Sequence, residues 1–173
     1  MPQSRNEKDV FRSLLAPHMD ALFRAAWRLT GRADEAEDLV QELLVRLYPK
    51  THQMRQVEQL RPWLKKALYR QFIDLERKKA RRPENFLDAS DFQMDDLQGE
   101  APDPELMAQR AGNRQRLRAA LQTLDPESRA LVLMHLVEGY SLAELEETFQ
   151  VSKQTLKTRL RRSKNQLKKF LQR

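Results

Sequence analysis

Near the C-terminal end of the chain, Lys153, Gln154, Lys157, Thr158, Arg161 and Arg162 alternate at steps of one and three residues within "SKQTLKTRLRRS". On a helix this spacing gathers all six on one broad face, because positions three and four apart are neighbours. Ammonium and guanidinium groups pair with guanine edges and a Gln amide with adenine, so such a face has the chemistry to read duplex DNA in the major groove. Lys164, Lys168 and Lys169, further along, can meet phosphates, which adds affinity but little sequence information. Leu156, Leu160 and Leu167 fall on the opposite side and pack inward.

Such a helix must be held by others. Ser141 and Glu144 form an S-x-x-E capping box that starts a helix immediately upstream, and after a short turn containing Val151, Ser152 caps the basic helix. The two together predict a helix-turn-helix, the first helix bracing the second across the DNA backbone. Before them, Asp125 reads as an N-cap with Pro126 in the first turn, opening "ESRALVLMHLVEG" up to a stop at Gly139. One more helix, from about Glu105 to Leu121, completes a four-helix C-terminal domain.

The 173 residues carry a net charge of +7, unevenly spread. Residues 151–173 hold nine Lys/Arg and no acid, residues 61–82 hold nine Lys/Arg against Asp74 and Glu76, and residues 83–105 hold eight Asp/Glu and no base. Two basic blocks flank an acidic one, the footprint of a polyanionic partner rather than of mere solubility. No cysteine occurs and the three His are scattered, which excludes disulfides and thiol chemistry and leaves a metal centre little to build on. No cofactor is expected. No apolar run reaches the length of a bilayer span and the N-terminus lacks signal-peptide order, so the expectation is a cytoplasmic protein without membrane insertion.

The acidic segment "PENFLDASDFQMDDLQGEAPDPE" has three Pro, one Gly and no helical period, and reads as a linker. Ahead of it lie three predicted helices. Leu14, Leu22, Phe23, Ala26, Trp27 and Leu29 mark the first, which runs to Gly31. The second, "ADEAEDLVQELLVRLY", has an apolar stripe at Ala36, Leu39, Val40, Leu43, Leu44 and Leu47 and an acidic opposite face. The third, "LRPWLKKALYRQFIDLERKKARR", buries Trp63, Leu64, Ala67, Leu68 and Leu75 and exposes bases and aromatics together. The fold class is all-α: a domain at 1–82, an acidic flexible linker at 83–105 and a helix-turn-helix domain at 106–173.

"LDPESRALVLMHLVEGYSLAELEETFQVSKQTLKTRLRRSKNQL" closely resembles the C-terminal promoter-binding domain of extracytoplasmic-function sigma factors. "DEAEDLVQELLVRLY" with "RPWLKKALYRQFIDLERKKARR" resembles their N-terminal domain. The resemblance covers nearly the whole chain, in order, and implies a dissociable subunit that directs bacterial RNA polymerase to selected promoters. It assigns Asp38, Gln41 and Glu42 to core polymerase binding. Lys66, Tyr69, Arg70, Arg77 and Lys78 go to the opened minus-10 element, with Arg81 and Arg82 on phosphates. Lys153, Gln154, Lys157, Thr158, Arg161 and Arg162 go to the minus-35 element. It further implies core RNA polymerase and promoter DNA as partners and an anti-sigma factor as regulator; no stable homo-oligomer is expected. The acidic linker would thread the polymerase toward the RNA exit path, its charges mimicking nucleic acid; solvated disorder is the plainer reading of the same composition.

Three positions depart from the family pattern. Arg70 stands where Asn is common, which alters hydrogen-bonding capacity at minus-10. Glu146 stands where Ala lets the two helices of the helix-turn-helix cross closely, and Gln150 replaces the Gly of the turn. A carboxylate at a tight crossing costs stability unless it escapes or pairs, for example with Arg159, so replacing Glu146 by Ala is expected to stabilise the fold. The alternative function is a helix-turn-helix regulator acting without polymerase, which leaves the N-terminal helices unassigned; an RNA-binding helical protein needs only the charge. An enzyme is not expected, since no nucleophile, metal cluster or phosphate-cradling loop is present.

Overall fold

The computed structural model describes residues 3–81 and 104–172, and the chain divides into two compact units, 1–75 and 76–173. The acidic segment predicted as a linker lies outside the described residues except for its last two positions, which begin a helix.

In the first unit α1 spans Gln3–Leu15 and α2 Met19–Thr30, separated by a 3-10 turn at Ala16–His18. The single helix expected through Leu14–Leu29 is thus two, and Pro17 is the reason: it has no N–H to donate and its ring obstructs the preceding carbonyl. α2 ends at Gly31, whose φ of 79° is the left-handed conformation that glycine adopts without a Cβ penalty; its N–H closes on Trp27 O at 2.8 Å. α3 (Ala33–Leu47) follows, then a 3-10 turn at Tyr48–Lys50, the short α4 (Thr51–Arg55) and the long α5 (Leu60–Ala80), whose residues from Glu76 onward group with the second unit. The polar stretch after Pro49 therefore contains a helix, tied down by the buried Thr51 and Met54.

The core of this unit is the apolar stripe read from the sequence. Leu22, Ala25, Ala26 and Leu29 of α2 meet Ala36, Leu39, Val40, Leu43 and Leu47 of α3, with Leu64, Leu68, Phe72 and Ile73 of α5 also buried. Ala25, Ala26 and Ala36 are fully enclosed, and their small side chains let the α2 and α3 backbones approach. Inside the core, Gln71 Nε2 donates to Leu39 O at 3.3 Å, crossing from α5 to α3.

The second unit contains α6 (Pro104–Gln122), α7 (Pro126–Val132), α8 (Leu142–Phe149) and α9 (Lys153–Leu171). Asp125 caps α7, accepting from Ser128 N at 2.9 Å. α7 runs on into a π-helical turn over Leu133–Val137, in which Glu138 N reaches Leu133 O, and the chain then turns at Gly139 with φ 80°. The Ser141–Glu144 capping box is complete in both directions: Glu144 N donates to Ser141 Oγ at 3.2 Å and Ser141 N to Glu144 Oε2 at 2.7 Å. Leu121, Leu131, Leu133, Met134, Leu145, Phe149, Leu156 and Leu160 form the core. Arg129 is nearly buried, and its guanidinium donates to Leu121 O and Leu124 O at 3.0 Å, satisfying carbonyls that the end of α6 leaves unpaired.

Candidate nucleic-acid interface

The basic face rests on α9. Ser152 begins it with extended backbone, φ −62° and ψ 150°, and its hydroxyl accepts from Thr155 N at 3.3 Å. Leu156, Leu160, Ser163 and Leu167, spaced by four, three and four residues, turn inward and fix the rotation of the helix about its axis. Lys153, Gln154, Lys157, Arg161 and Arg162 are consequently exposed, as are Lys164, Lys168 and Lys169 beyond them. Thr158 is half-buried, and its hydroxyl donates to Gln154 O at 3.1 Å, which leaves its oxygen rather than its proton for an outside partner.

The lower part of α9 is anchored to its own unit. Gln166 Nε2 donates to Thr123 O at 2.7 Å, and Arg159 Nη1 lies 2.6 Å from Glu127 Oε2. The Arg159–Glu146 pair that the sequence allowed is therefore replaced by Arg159–Glu127. Burial by itself would raise the Glu127 carboxyl, but hydrogen bonds from Arg77 and Arg159 outweigh it and hold the group below the usual carboxylate range.

Glu146 corrects the expectation of a misplaced charge. It is half-buried, its carbonyl accepts from Gln150 N at 2.8 Å, and its Oε1 accepts from Lys153 N at 2.5 Å. The carboxylate thus bonds the first turn of α9 instead of being trapped between helices, and replacement by Ala removes a bond rather than a burden. Gln150 does adopt the left-handed conformation of the glycine it replaces, with φ 55° and ψ 38°.

α5 carries the second candidate surface. Lys66 and Arg70 are half-buried, and Lys78 and Arg81 are exposed. Tyr69 is a correction: at 0% exposure it belongs to the core of the first unit and offers no ring to a strand, because it lies on the same face as Ile73 four residues on. Arg77 groups with the second unit, where its Nε lies 2.6 Å from Glu127 Oε1 and its Nη2 donates to Phe149 O at 2.8 Å, so its guanidinium is already engaged. Arg82 lies outside the described residues. Trp63, read as buried, is only half so.

On α3, the buried stripe leaves Asp38, Gln41 and Glu42 exposed together. Val45, one turn further along the same face, is 75% exposed, an apolar residue outside the buried stripe. At the head of this helix Arg32 grips Asp34 through Nε–Oδ1 at 3.1 Å and Nη2–Oδ2 at 2.7 Å, and that bond holds the Asp34 carboxyl below its ordinary range. Among the described residues no cluster of His, Cys, Asp and Glu could hold a metal, and no helix is long and apolar enough to cross a membrane.

Two family models match: sigma-70 region 2 over residues 14–82 and sigma-70 region 4 over residues 114–167. Among curated proteins, the chain is 32% identical over 163 residues to the ECF RNA polymerase sigma factor SigE of Mycolicibacterium smegmatis, covering 91% of this chain and 60% of that protein. It is 32% identical to the ECF RNA polymerase sigma factor SigL of Mycobacterium tuberculosis, over 96% of this chain and 91% of that one. SigW of Bacillus subtilis is 24% identical over similar shares. Among solved structures, the sigma factor RpoE of Bartonella quintana, crystallised in complex with the anti-sigma factor NepR, shares the fold with a TM-score of 0.65 at 24% identity, over 94% of this chain and 96% of that one.

Proposed function

The chain belongs to the extracytoplasmic-function sigma factors of the sigma-70 family, and from that premise we propose that it docks on core RNA polymerase through α3, holds the opened minus-10 strand with α5 and reads the minus-35 duplex with α9. The observation that carries the reading is the face of α9: Lys153, Gln154, Lys157, Arg161 and Arg162 all exposed on a capped helix whose other side is locked into a core. Cations in the first turns address base edges and those near the end address phosphates.

The domains divide as 1–82 for core binding and minus-10 recognition and 106–173 for minus-35 recognition, joined by the acidic stretch 83–105. With Tyr69 buried and Arg77 engaged, the minus-10 surface of α5 consists of Lys66, Arg70, Lys78 and Arg81, with Arg82 following. Asp38, Gln41 and Glu42 suit an Arg-rich partner surface. The protein acts in the cytoplasm as a specificity subunit with no chemistry of its own. Its regulator is an anti-sigma factor, a reading supported by the structural neighbour solved with one.

Run-off transcription with core polymerase on a pool of genomic fragments tests this. Start sites downstream of a shared two-part motif are the expected result. Duplex binding by the free chain with no effect on transcription would favour a helix-turn-helix regulator that works without polymerase.

A further inference from the structure

Glu146 contributes both halves of the α8–α9 turn. Its main-chain carbonyl takes the Gln150 N–H and closes α8, while its side-chain Oε1 takes the Lys153 N–H and opens α9. Ser152 occupies the neighbouring Thr155 N–H. α9 has no acidic residue of its own in its first turn, so the negative charge that complements the helix start comes entirely from α8. That charge is bonded to the first residue of α9, the helix on which Lys153, Gln154 and Lys157 are exposed.

We propose that Glu146 is an affinity-limiting and positioning residue of the duplex-binding surface: its carboxylate fixes the start of α9 and at the same time repels the DNA backbone that approaches there. The inference rests on the reading of α9 as the duplex-binding helix. The base edges that the first turn reads are flanked by backbone phosphates on either side of the groove, and those phosphates meet a carboxylate already bonded to the Lys153 N–H, so binding either proceeds against that charge or displaces it. The effect is a moderated grip on DNA at the end of the helix that makes base contacts, leaving discrimination to Gln154, Lys157 and Arg161.

Two substitutions separate fixing from repulsion. Glu146→Gln keeps an amide oxygen where Oε1 stands and removes the charge; Glu146→Ala removes both. Each full-length protein is assembled with core polymerase and titrated, across a salt series, against fluorescent duplexes carrying the upstream element found by run-off transcription or a scrambled one. The expected result for Glu146→Gln is a melting temperature lower by about 1–4 °C, less than the loss for Glu146→Ala, and about three- to tenfold tighter binding at low salt, a gain that shrinks as salt screens the phosphates. Glu146→Ala is expected to melt about 4–8 °C lower and to discriminate less between the two duplexes. Equal affinity of the parent and Glu146→Gln for the promoter duplex at every salt concentration overturns the proposal, and so does a gain that salt leaves untouched. Failure of the parent itself to prefer the promoter duplex removes the reading of α9, and the inference with it.

Discussion

Arg159 Nη1 lies 2.6 Å from Glu127 Oε2, so the basic helix α9 is tied by a charge-assisted bond to the first turn of α7. The Glu127 side chain is three-quarters buried and carries a second guanidinium, that of Arg77, on its other oxygen. Charge-assisted bonds at this depth contribute more than surface pairs, about 1–3 kcal/mol each. Because the folded-state pKa of Glu127 is depressed, its contribution is complete above the ordinary carboxylate pKa and is lost as pH falls through the folded value. Thermal melts of Glu127→Gln are expected to show lower stability at neutral pH, with a flatter decline than the parent below about pH 5. Parallel declines would mean that the pair adds nothing to folding.

Gln150 carries the only positive φ of a non-glycine residue among the described residues, 55°. A Cβ in this region costs an L-residue about 1–2 kcal/mol, part of which a glycine returns as lost chain entropy. Gln150→Gly is therefore expected to raise stability by about 0.5–1 kcal/mol, read as a higher midpoint in denaturant with an unchanged slope. Since the turn keeps its geometry, duplex affinity should stay level.

The caps were legible because they are local. Asp125, Ser141 with Glu144, and Ser152 each act within three residues of themselves, and the structure forms every one of these bonds. The stripe on α3 was equally plain, since a 3.6-residue period needs no tertiary information. Glu146 is illegible for the opposite reason: its partner is seven residues away across a turn whose path the sequence does not specify. Arg129 and Glu127 reach partners on other elements and left no local signal. Tyr69 could have been placed, since Leu68, Phe72 and Ile73 surround it on one side of α5, but a Tyr beside Arg70 reads as a stacking platform when packing is ignored.

The two ends of α9 are expected to fail differently. Gln154→Ala removes an amide that can pair with one base edge, which should cost about 1–3 kcal/mol at a single position of the upstream element and relax the preference there. Lys168→Ala removes a charge near the far end, weakening all sequences alike and reducing the salt slope by about one. Binding selections from randomised duplexes distinguish the two patterns. A uniform loss for Gln154→Ala would move that residue from the bases to the backbone.

Val45 makes the docking role of α3 testable without disturbing the fold. It extends the Asp38, Gln41, Glu42 face by one turn, and at 75% exposure it gives little to the core. A β-branched residue in the open on a helix is slightly unfavourable compared with Ala, by about half a kcal/mol. Val45→Ala should therefore leave stability level or raise it slightly. If α3 docks on polymerase, the same change also removes an exposed apolar contact at the end of that charged face. The expected outcome is weaker core polymerase binding by Val45→Ala, and a larger loss by Glu42→Lys, which opposes an Arg-rich partner directly. Both variants should keep the melting temperature and the duplex affinity of the free chain. Full core binding by both would take the polymerase contact off α3.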